Sequence, residues 1–125
     1  CAIELKGFNP SKNLVLKDLR RNLEYFQLTG STGSSVLGSA LFGSLHCWGV
    51  TESTLEEQAR YVSLHKKYSG WVSQLPQVAN VRTSITIHRV RSDLNGEVFE
   101  EAGREVLNAD TKHIFAGIIV EFNAS

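Results

Sequence analysis

The sequence predicts an α+β fold in which an antiparallel β-sheet packs against two to three α-helices. Residues 2–8 and 81–90 alternate apolar and polar side chains, the period of two that is typical of half-buried strands. Residues 13–28 instead repeat apolar side chains every three or four positions, as an amphipathic helix does. A strand followed by helices and then by a run of strands favours an α+β arrangement.

The first two elements follow from these periods. In the first strand, Ile3 and Leu5 are expected on a buried face, opposite Glu4 and Lys6. The helix that follows should end near Gly30, because glycine is common just past a helix end. Its buried stripe is expected to comprise Leu16, Leu19, Leu23 and Phe26.

A second helix is expected in the apolar stretch that follows. Ser34 or Ser35 can cap a helix that runs to about Trp48, with Gly38 and Gly43 allowing a close approach by another element. The dense apolar part is about fifteen residues long, short of the roughly 20 that a membrane span needs. A buried core helix is therefore favoured over a membrane span.

A third helix is expected from about residue 54 to residue 68. Ser53 and Glu56 have the spacing of a capping box, in which each side chain satisfies an unpaired amide of the other residue. Gly70 is expected to end this helix. Its inward face is predicted to comprise Leu55, Ala59, Tyr61 and Val62.

The last part of the chain predicts strands. Residues 71–80 contain Pro76 and lack a regular period, so they predict a loop that carries exposed apolar groups. Asn95-Gly96 is the favoured two-residue turn of a hairpin. Residues 97–107 fit either a strand or a short acidic helix, and residues 114–122 predict an apolar strand in the centre of the sheet. The inward side of the strand at 81–90 should comprise Val81, Thr83, Ile85 and Ile87.

Length and composition indicate one globular domain spanning residues 1–125. A chain of 125 residues with 42% hydrophobic and 21% charged residues is neither wholly disordered nor a polytopic membrane protein. The chain begins at Cys1 and has no methionine, so it is expected to be the trimmed core of a longer chain. A lipidated N-terminal cysteine is the alternative explanation. Only two cysteines are present, which favours a reducing setting without a disulfide framework.

The net charge of zero conceals a division along the chain. Residues 1–92 hold eleven basic and six acidic side chains, a net charge of +5, whereas residues 93–125 hold two and seven, a net charge of −5. A basic helical portion is therefore expected to meet an anionic partner, and an acidic strand portion is expected to meet a neighbour's basic portion.

Catalytic and metal-binding signals are nearly absent. The four histidines lie in different predicted elements and lack the spacing of a metal site, so neither an enzymatic activity nor a metal or other cofactor is expected. His46 and Cys47 are adjacent and point apart, which disfavours a thiolate paired with its base. The segment from Gly30 to Ser35 is the one candidate anion site, because free amides before a helix attract phosphate.

Two groups of residues predict interactions with partners. Basic side chains on the first and third predicted helices are candidates for binding an anionic membrane or a nucleocapsid, since each adds attraction to an anionic surface. They are Lys12, Lys17, Arg20, Arg21, Lys66 and Lys67. The loop residues Leu75, Pro76 and Val78 are candidates for self-association, and the alternative is that this loop folds onto its own core.

The layout as a whole resembles the globular core of rhabdovirus matrix proteins, over about residues 3–49 and 81–122. The likeness lies in the order of a short strand, a helix with Leu19-Arg20-Arg21 and Tyr25-Phe26, and a glycine-punctuated apolar segment at 36–43. A basic-flanked strand, an acidic segment at 97–110 and the closing run Phe115-Ala116-Gly117-Ile118-Ile119-Val120 follow. Residues 50–80 have no clear counterpart in the animal-virus proteins, which suits a plant-infecting member.

The resemblance implies a non-enzymatic virion component that forms homopolymers and bridges the viral nucleocapsid and the envelope membrane during assembly and budding. It further implies contact with the viral glycoprotein tail. The implied locations are the virion, the host cytoplasm, the inner face of the host membrane and the host nucleus. In that family a loop of one subunit docks on the next, and residues 75–78 correspond by position. The alternative function is a small ligand-binding or enzymatic α+β domain that uses the Gly30 to Ser35 loop, and a lipoprotein anchored at Cys1 is a third interpretation.

Overall fold

The computed structural model describes residues 1–28, 37–50, 54–90 and 95–124, with side chains for all of these except 49–50, 54–56, 95–99 and 107–112. The described elements are β1 (Ala2–Phe8), α1 (Lys12–Tyr25), β2 (Ser39–Val50), α2 (Thr54–Val72), β3 (Val81–Val90), β4 (Asn95–Glu101) and β5 (Arg104–Ala124). The predicted α+β class, a sheet packed against helices, is confirmed. The described residues form two helices, within the two to three that the sequence predicts.

The five strands form one mixed sheet. Its order is β1-β2-β5-β3, and β4 pairs with the first part of β5. β2, β3 and β4 each run antiparallel to β5, which lies in the centre of the sheet as predicted. β1 and β2 are parallel, so the prediction of a purely antiparallel sheet is wrong for this pair. α1 lies between these two strands in the chain, and a helical crossover is the usual connection of parallel neighbours.

The core lies between the sheet and the two helices. The predicted stripe of α1 is confirmed, because Leu16, Leu19, Leu23 and Phe26 are all buried. Ser11 caps the N-terminus of α1, because its hydroxyl accepts a hydrogen bond from the Leu14 amide at 3.5 Å. The sheet contributes buried apolar side chains, which are Ala40, Phe42, Ile114, Ala116, Ile118, Val120 and Phe122.

The position of α2 was predicted correctly, but its inward face was predicted only in part. Tyr61 packs against the core as expected, and the side chain of Leu55 lies outside the described residues. The prediction was wrong for Ala59 and Val62. Val62 is 61% exposed and Ala59 also faces outward, whereas Leu64, Tyr68 and Trp71 are buried. These buried residues recur every three or four positions and continue past Gly70, so the helix extends to Val72 to keep Trp71 in the core. Ser53, the predicted cap, lies outside the described residues.

The segment expected to be a second helix is strand β2, and this prediction was wrong. β2 lies between β1 and β5 and is hydrogen-bonded to a strand on each side, so it is an interior strand of the sheet. A strand in this position is apolar on successive residues, which hides the period that separates a strand from a buried helix. Gly43 does permit a close approach, because a Cβ there would lie 3.0 Å from the Leu5 Cδ2 atom.

The predicted turn at Asn95-Gly96 was also wrong, because both residues belong to β4. Residues 97–107 instead contain the hairpin itself, which confirms the strand alternative over the acidic helix. The hairpin turns at Ala102 and Gly103, which have φ angles of +52° and +76°. Positive φ at both central residues is what a two-residue hairpin turn requires.

Neither described helix combines the length and apolar content needed to cross a bilayer.

Candidate functional site: the open face of the sheet

The two faces of the sheet differ in what covers them. On one face, which we call the covered face, the sheet packs against α1 and α2. β2 contributes Phe42, Ser44 and His46 to this face, and β5 contributes Ile118 and Val120. These residues are at most 5% exposed, because both helices lie over them.

The opposite face of the sheet, which we call the open face, is not covered by any described element. It presents six large apolar side chains whose exposed fractions range from 37% to 75%. They are Ile3, Leu5, Phe8, Leu45, Val90 and Ile119. Single exposed apolar residues are common on protein surfaces, whereas a contiguous apolar patch marks an interaction site.

The strand register shows that these apolar side chains are neighbours. Leu5 lies opposite Gly43, and Gly43 lies opposite Ile119 on the other neighbouring strand. The Phe8 ring lies 6.1 Å from the ring of Phe115, measured between centroids. Leu5 extends over Gly43, which leaves room for it because glycine has no side chain. The patch therefore runs continuously from β1 across β2 to β5.

The prediction that Ile3 and Leu5 lie on a buried face was wrong, and α1 provides the reason. Glu4 forms an ion pair with Arg21 at 3.1 Å, and Lys6 forms one with Asp18 at 3.0 Å. The charged side of β1 is therefore drawn toward the helix, while its apolar side remains exposed. The alternation identified the strand correctly but did not identify which of its faces is covered.

Most of the predicted basic residues lie on the outer surface of the helix layer. Among helix residues with described side chains, five basic groups are exposed against one exposed carboxylate, that of Glu24. The exposed basic residues are Lys12, Lys17, Arg20, Lys66 and Lys67. Lys67 places its Nζ atom 5.2 Å from the centre of the Trp71 ring. Arg21 differs, because its guanidinium is engaged by Glu4, which raises its pKa.

The three residues predicted to mediate self-association lie in the segment between α2 and β3. Leu75 is only 8% exposed and belongs to the core, so the expectation of an exposed apolar group was wrong for this residue. Val78 is partly buried against the same core, and Pro76 is exposed. All three line a groove of about 330 Å³ whose floor includes Leu23 and Phe122. This loop folds onto its own core, as the alternative interpretation held.

Ser44, His46 and Tyr68 form a buried polar trio on the covered face, which the sequence did not predict. The Tyr68 hydroxyl lies 2.7 Å from the His46 Nε2 atom and 2.8 Å from the Ser44 hydroxyl. All three residues are at most 5% exposed. Burial, together with the nearby Lys67, lowers the pKa of His46 to about 4, and burial raises the pKa of Tyr68 to about 12.

This trio is a satisfied hydrogen-bonding group within the core rather than an accessible site. A buried polar group is costly unless it finds a partner, and here each side chain has one. Ser44 and His46 are two residues apart on one strand, which places them on the same face. That spacing would have signalled the pair, had the segment been identified as a strand.

His46 and Cys47 point to opposite faces of β2, so they do not form a thiolate and base pair. The Cys47 sulfur instead lies 3.9 Å from the His113 Nδ1 atom, on the open face. Burial raises the pKa of the Cys47 thiol, which disfavours the reactive thiolate. In the described part of the chain, no three His, Cys, Asp or Glu side chains are grouped as metal ligands.

The acidic residues of the C-terminal portion whose side chains are described lie in two separate places. Glu121 lies on β5 in the middle of the sheet, next to the basic strand β3, where Ser84 is its direct partner. Glu100, Glu101 and Glu105 are exposed at the end of the β4–β5 hairpin. The expected meeting of an acidic strand portion with a basic portion of a neighbour stays a prediction. The candidate anion site, Gly30 to Ser35, lies outside the described residues and stays a prediction.

Comparison of this chain with protein families, with characterised proteins and with solved structures found no match.

Proposed function

We propose that this protein is a structural assembly protein of the viral matrix type, which self-associates through the open face and binds anionic partners through its helix layer. The partners are other copies of the chain, the viral nucleocapsid, the anionic inner surface of the envelope membrane and the viral glycoprotein tail. The protein works in this proposal by binding, without catalysis, in the virion and at the inner face of the host membrane.

The observation that carries the proposal is the contrast between the two outer surfaces of the domain. One surface is the open face, with Leu5 75% exposed and Ile3 60% exposed. The other is the outside of the helix layer, where exposed basic groups outnumber exposed carboxylates among the helix residues with described side chains. A protein that polymerises beneath a membrane needs one surface for its copies and a different one for the polyanion.

The expected energetics support a multivalent mechanism. Each Lys or Arg near an anionic membrane surface contributes about 1 kcal/mol of attraction, so one domain binds weakly. Association through the open face buries apolar area, which stabilises at roughly 25 cal/mol per Å². Once copies are joined, further membrane contacts become effectively intramolecular, and the assembly binds far more tightly than one domain.

The membrane part of the proposal is tested by cosedimentation with lipid vesicles. We expect binding to vesicles that contain phosphatidylserine and none to vesicles of phosphatidylcholine alone, with a loss of binding as salt is raised. A triple variant, Lys17→Gln, Arg20→Gln and Lys66→Gln, should bind roughly a hundredfold more weakly, because about 3 kcal/mol of attraction is removed.

The matched control is Glu24→Gln, which removes a charge of opposite sign from the same helix. We expect this variant to bind anionic vesicles at least as tightly as the wild type. Equal binding of both vesicle types, or a triple variant that binds as the wild type does, would contradict the role of the helix layer.

A further inference from the structure

We propose that two copies of this chain join by antiparallel pairing of their β1 strands, centred on Leu5, so that two five-stranded sheets become one continuous sheet. This inference rests on the proposed self-association and adds a second contact between copies, at the sheet edge, to the contact that the open faces make. The occupant of the β1 edge is a second copy of the same chain.

The first step of the argument is that β1 is an edge strand with a free side. β1 stands at the end of the sheet order and, among the described strands, pairs only with β2. Leu5 is the most exposed large apolar residue in the described chain, at 75%. An exposed edge presents unpaired backbone N–H and C=O groups to a further strand.

The second step is that the charges of β1 select its own copy. Charged residues on an edge strand normally discourage pairing with other chains. In an antiparallel pair centred on Leu5, however, Glu4 of each copy lies directly opposite Lys6 of the other. Opposite charges in directly opposed positions stabilise a strand pair, and like charges destabilise it.

The third step excludes the neighbouring registers. A pair centred on Glu4 would oppose two carboxylates, and a pair centred on Lys6 would oppose two ammonium groups. Any register displaced by one residue would set an apolar side chain opposite a charged one, because side chains alternate between the faces. The register centred on Leu5 is the one that pairs opposite charges and keeps the apolar faces on the same side.

The consequences for the two faces agree with this register. On the helix side, Glu4 and Lys6 are already bound to Arg21 and Asp18, so each pairing adds an alternating chain of charges, Asp18-Lys6-Glu4-Arg21, across the junction. On the other side, Leu5 meets its symmetry mate, and the two open faces lie side by side as one larger apolar surface. The contact is two-fold symmetric, because the same residues of both copies form it.

The regular part of β1 accommodates the pairing. The irregularity of the strand falls between Lys6 and Phe8, so Glu4, Leu5 and Lys6 lie before it in regular register with β2. Three central pairs make a short junction, which suits an assembly whose strength comes from several weak contacts.

The test is disulfide cross-linking in the full chain with Cys1→Ser and Cys47→Ser. In this background Leu5→Cys should form a disulfide-linked dimer on mild oxidation, because directly opposed strand residues lie about 4.5–5.5 Å apart, within disulfide reach. Ile3→Cys is the matched control on the same face of the same strand. Its two copies would be four positions apart along the strands, about 13 Å, and should not cross-link.

A second measurement reverses the charges of Glu4 and Lys6 one at a time and compares the strength of self-association. Glu4→Lys alone and Lys6→Glu alone should each weaken self-association roughly tenfold, since both place like charges opposite each other. An equimolar mixture of the two variants should restore association, because each then meets a complementary partner. Thermal unfolding of each variant shows whether the loss of the Arg21 and Asp18 ion pairs has unfolded it, in which case the cysteine experiment decides.

The outcomes separate this inference from the function on which it rests. If the wild type self-associates by sedimentation but Leu5→Cys stays monomeric under oxidation, the β1 pairing is wrong and self-association stands. If Ile3→Cys cross-links as efficiently as Leu5→Cys, the register is wrong. If the wild type is a monomer at every concentration, the proposed function fails together with the pairing.

Discussion

The covered face and the open face are formed by alternate residues of the same strands, yet they have opposite surroundings. On β5, Ile118 is fully buried beneath the helices, whereas its neighbour Ile119 is 38% exposed on the open face. On β1 the charged residues lie toward the helix and the apolar residues lie outward. The difference teaches that apolar character in a strand does not by itself reveal which face stabilises the fold and which is free to bind a partner.

The two faces should differ most in the free energy of unfolding that is lost when adjacent isoleucines of β5 are replaced by alanine. Ile118→Ala should lower the free energy of unfolding by about 2–5 kcal/mol, because it leaves a cavity in the core. Ile119→Ala should lower it by about 1 kcal/mol or less, since that side chain is partly in solvent. Urea denaturation of both variants measures the contrast. Equal losses would show that the two faces do not differ in the way described.

The dependence of stability on pH distinguishes the two faces through one histidine on each, His46 on the covered face and His88 on the open face. Burial and the nearby Lys67 lower the pKa of His46 to about 4, below the ordinary value of 6.5, so the unfolded chain binds a proton more readily. The contribution of His46 to stability is therefore complete above about pH 6.5 and is lost as the pH falls toward 4. The loss is about 3 kcal/mol in total.

Urea denaturation between pH 7 and pH 4.5 checks this expectation. His46→Gln should remove this part of the pH dependence, whereas His88→Gln, an exposed residue of β3 on the open face, should leave it unchanged. A wild-type stability that is flat over this range, or a His88→Gln variant that flattens it, would contradict the account of the buried trio.

Much of the fold could be predicted from the sequence, because the apolar side chains of most elements repeat with the period of a helix or of a strand. The stripe of α1 and the alternation of β3 were both read correctly, since each repeats several times within its element. β2 was misread because it is apolar on successive residues, so its period could not be recognised. The turn at Ala102-Gly103 was not predicted because Asn95-Gly96 is the stronger turn sequence, although both of its residues lie within β4.

The candidate site could be predicted only in part. Exposed basic residues such as Lys17 and Arg20 follow from the amphipathic pattern of α1, which turns its polar side to solvent. The open face could not be predicted, because the exposure of Leu5 depends on ion pairs that hold Glu4 and Lys6 toward α1. The buried trio could not be predicted either, since Tyr68 is 22 residues away from His46 and meets it only through the packing of α2 on β2.

Sedimentation equilibrium tests the central claim that the open face joins copies of the chain. We expect the wild type to associate as its concentration rises, and a double variant, Leu5→Ser with Ile119→Ser, to remain monomeric while its helices and sheet stay folded. Val62→Ser is the matched control, because Val62 is an exposed apolar residue of the helix layer, and it should associate as the wild type does. A wild type that stays monomeric, or a double variant that associates equally well, would contradict the account.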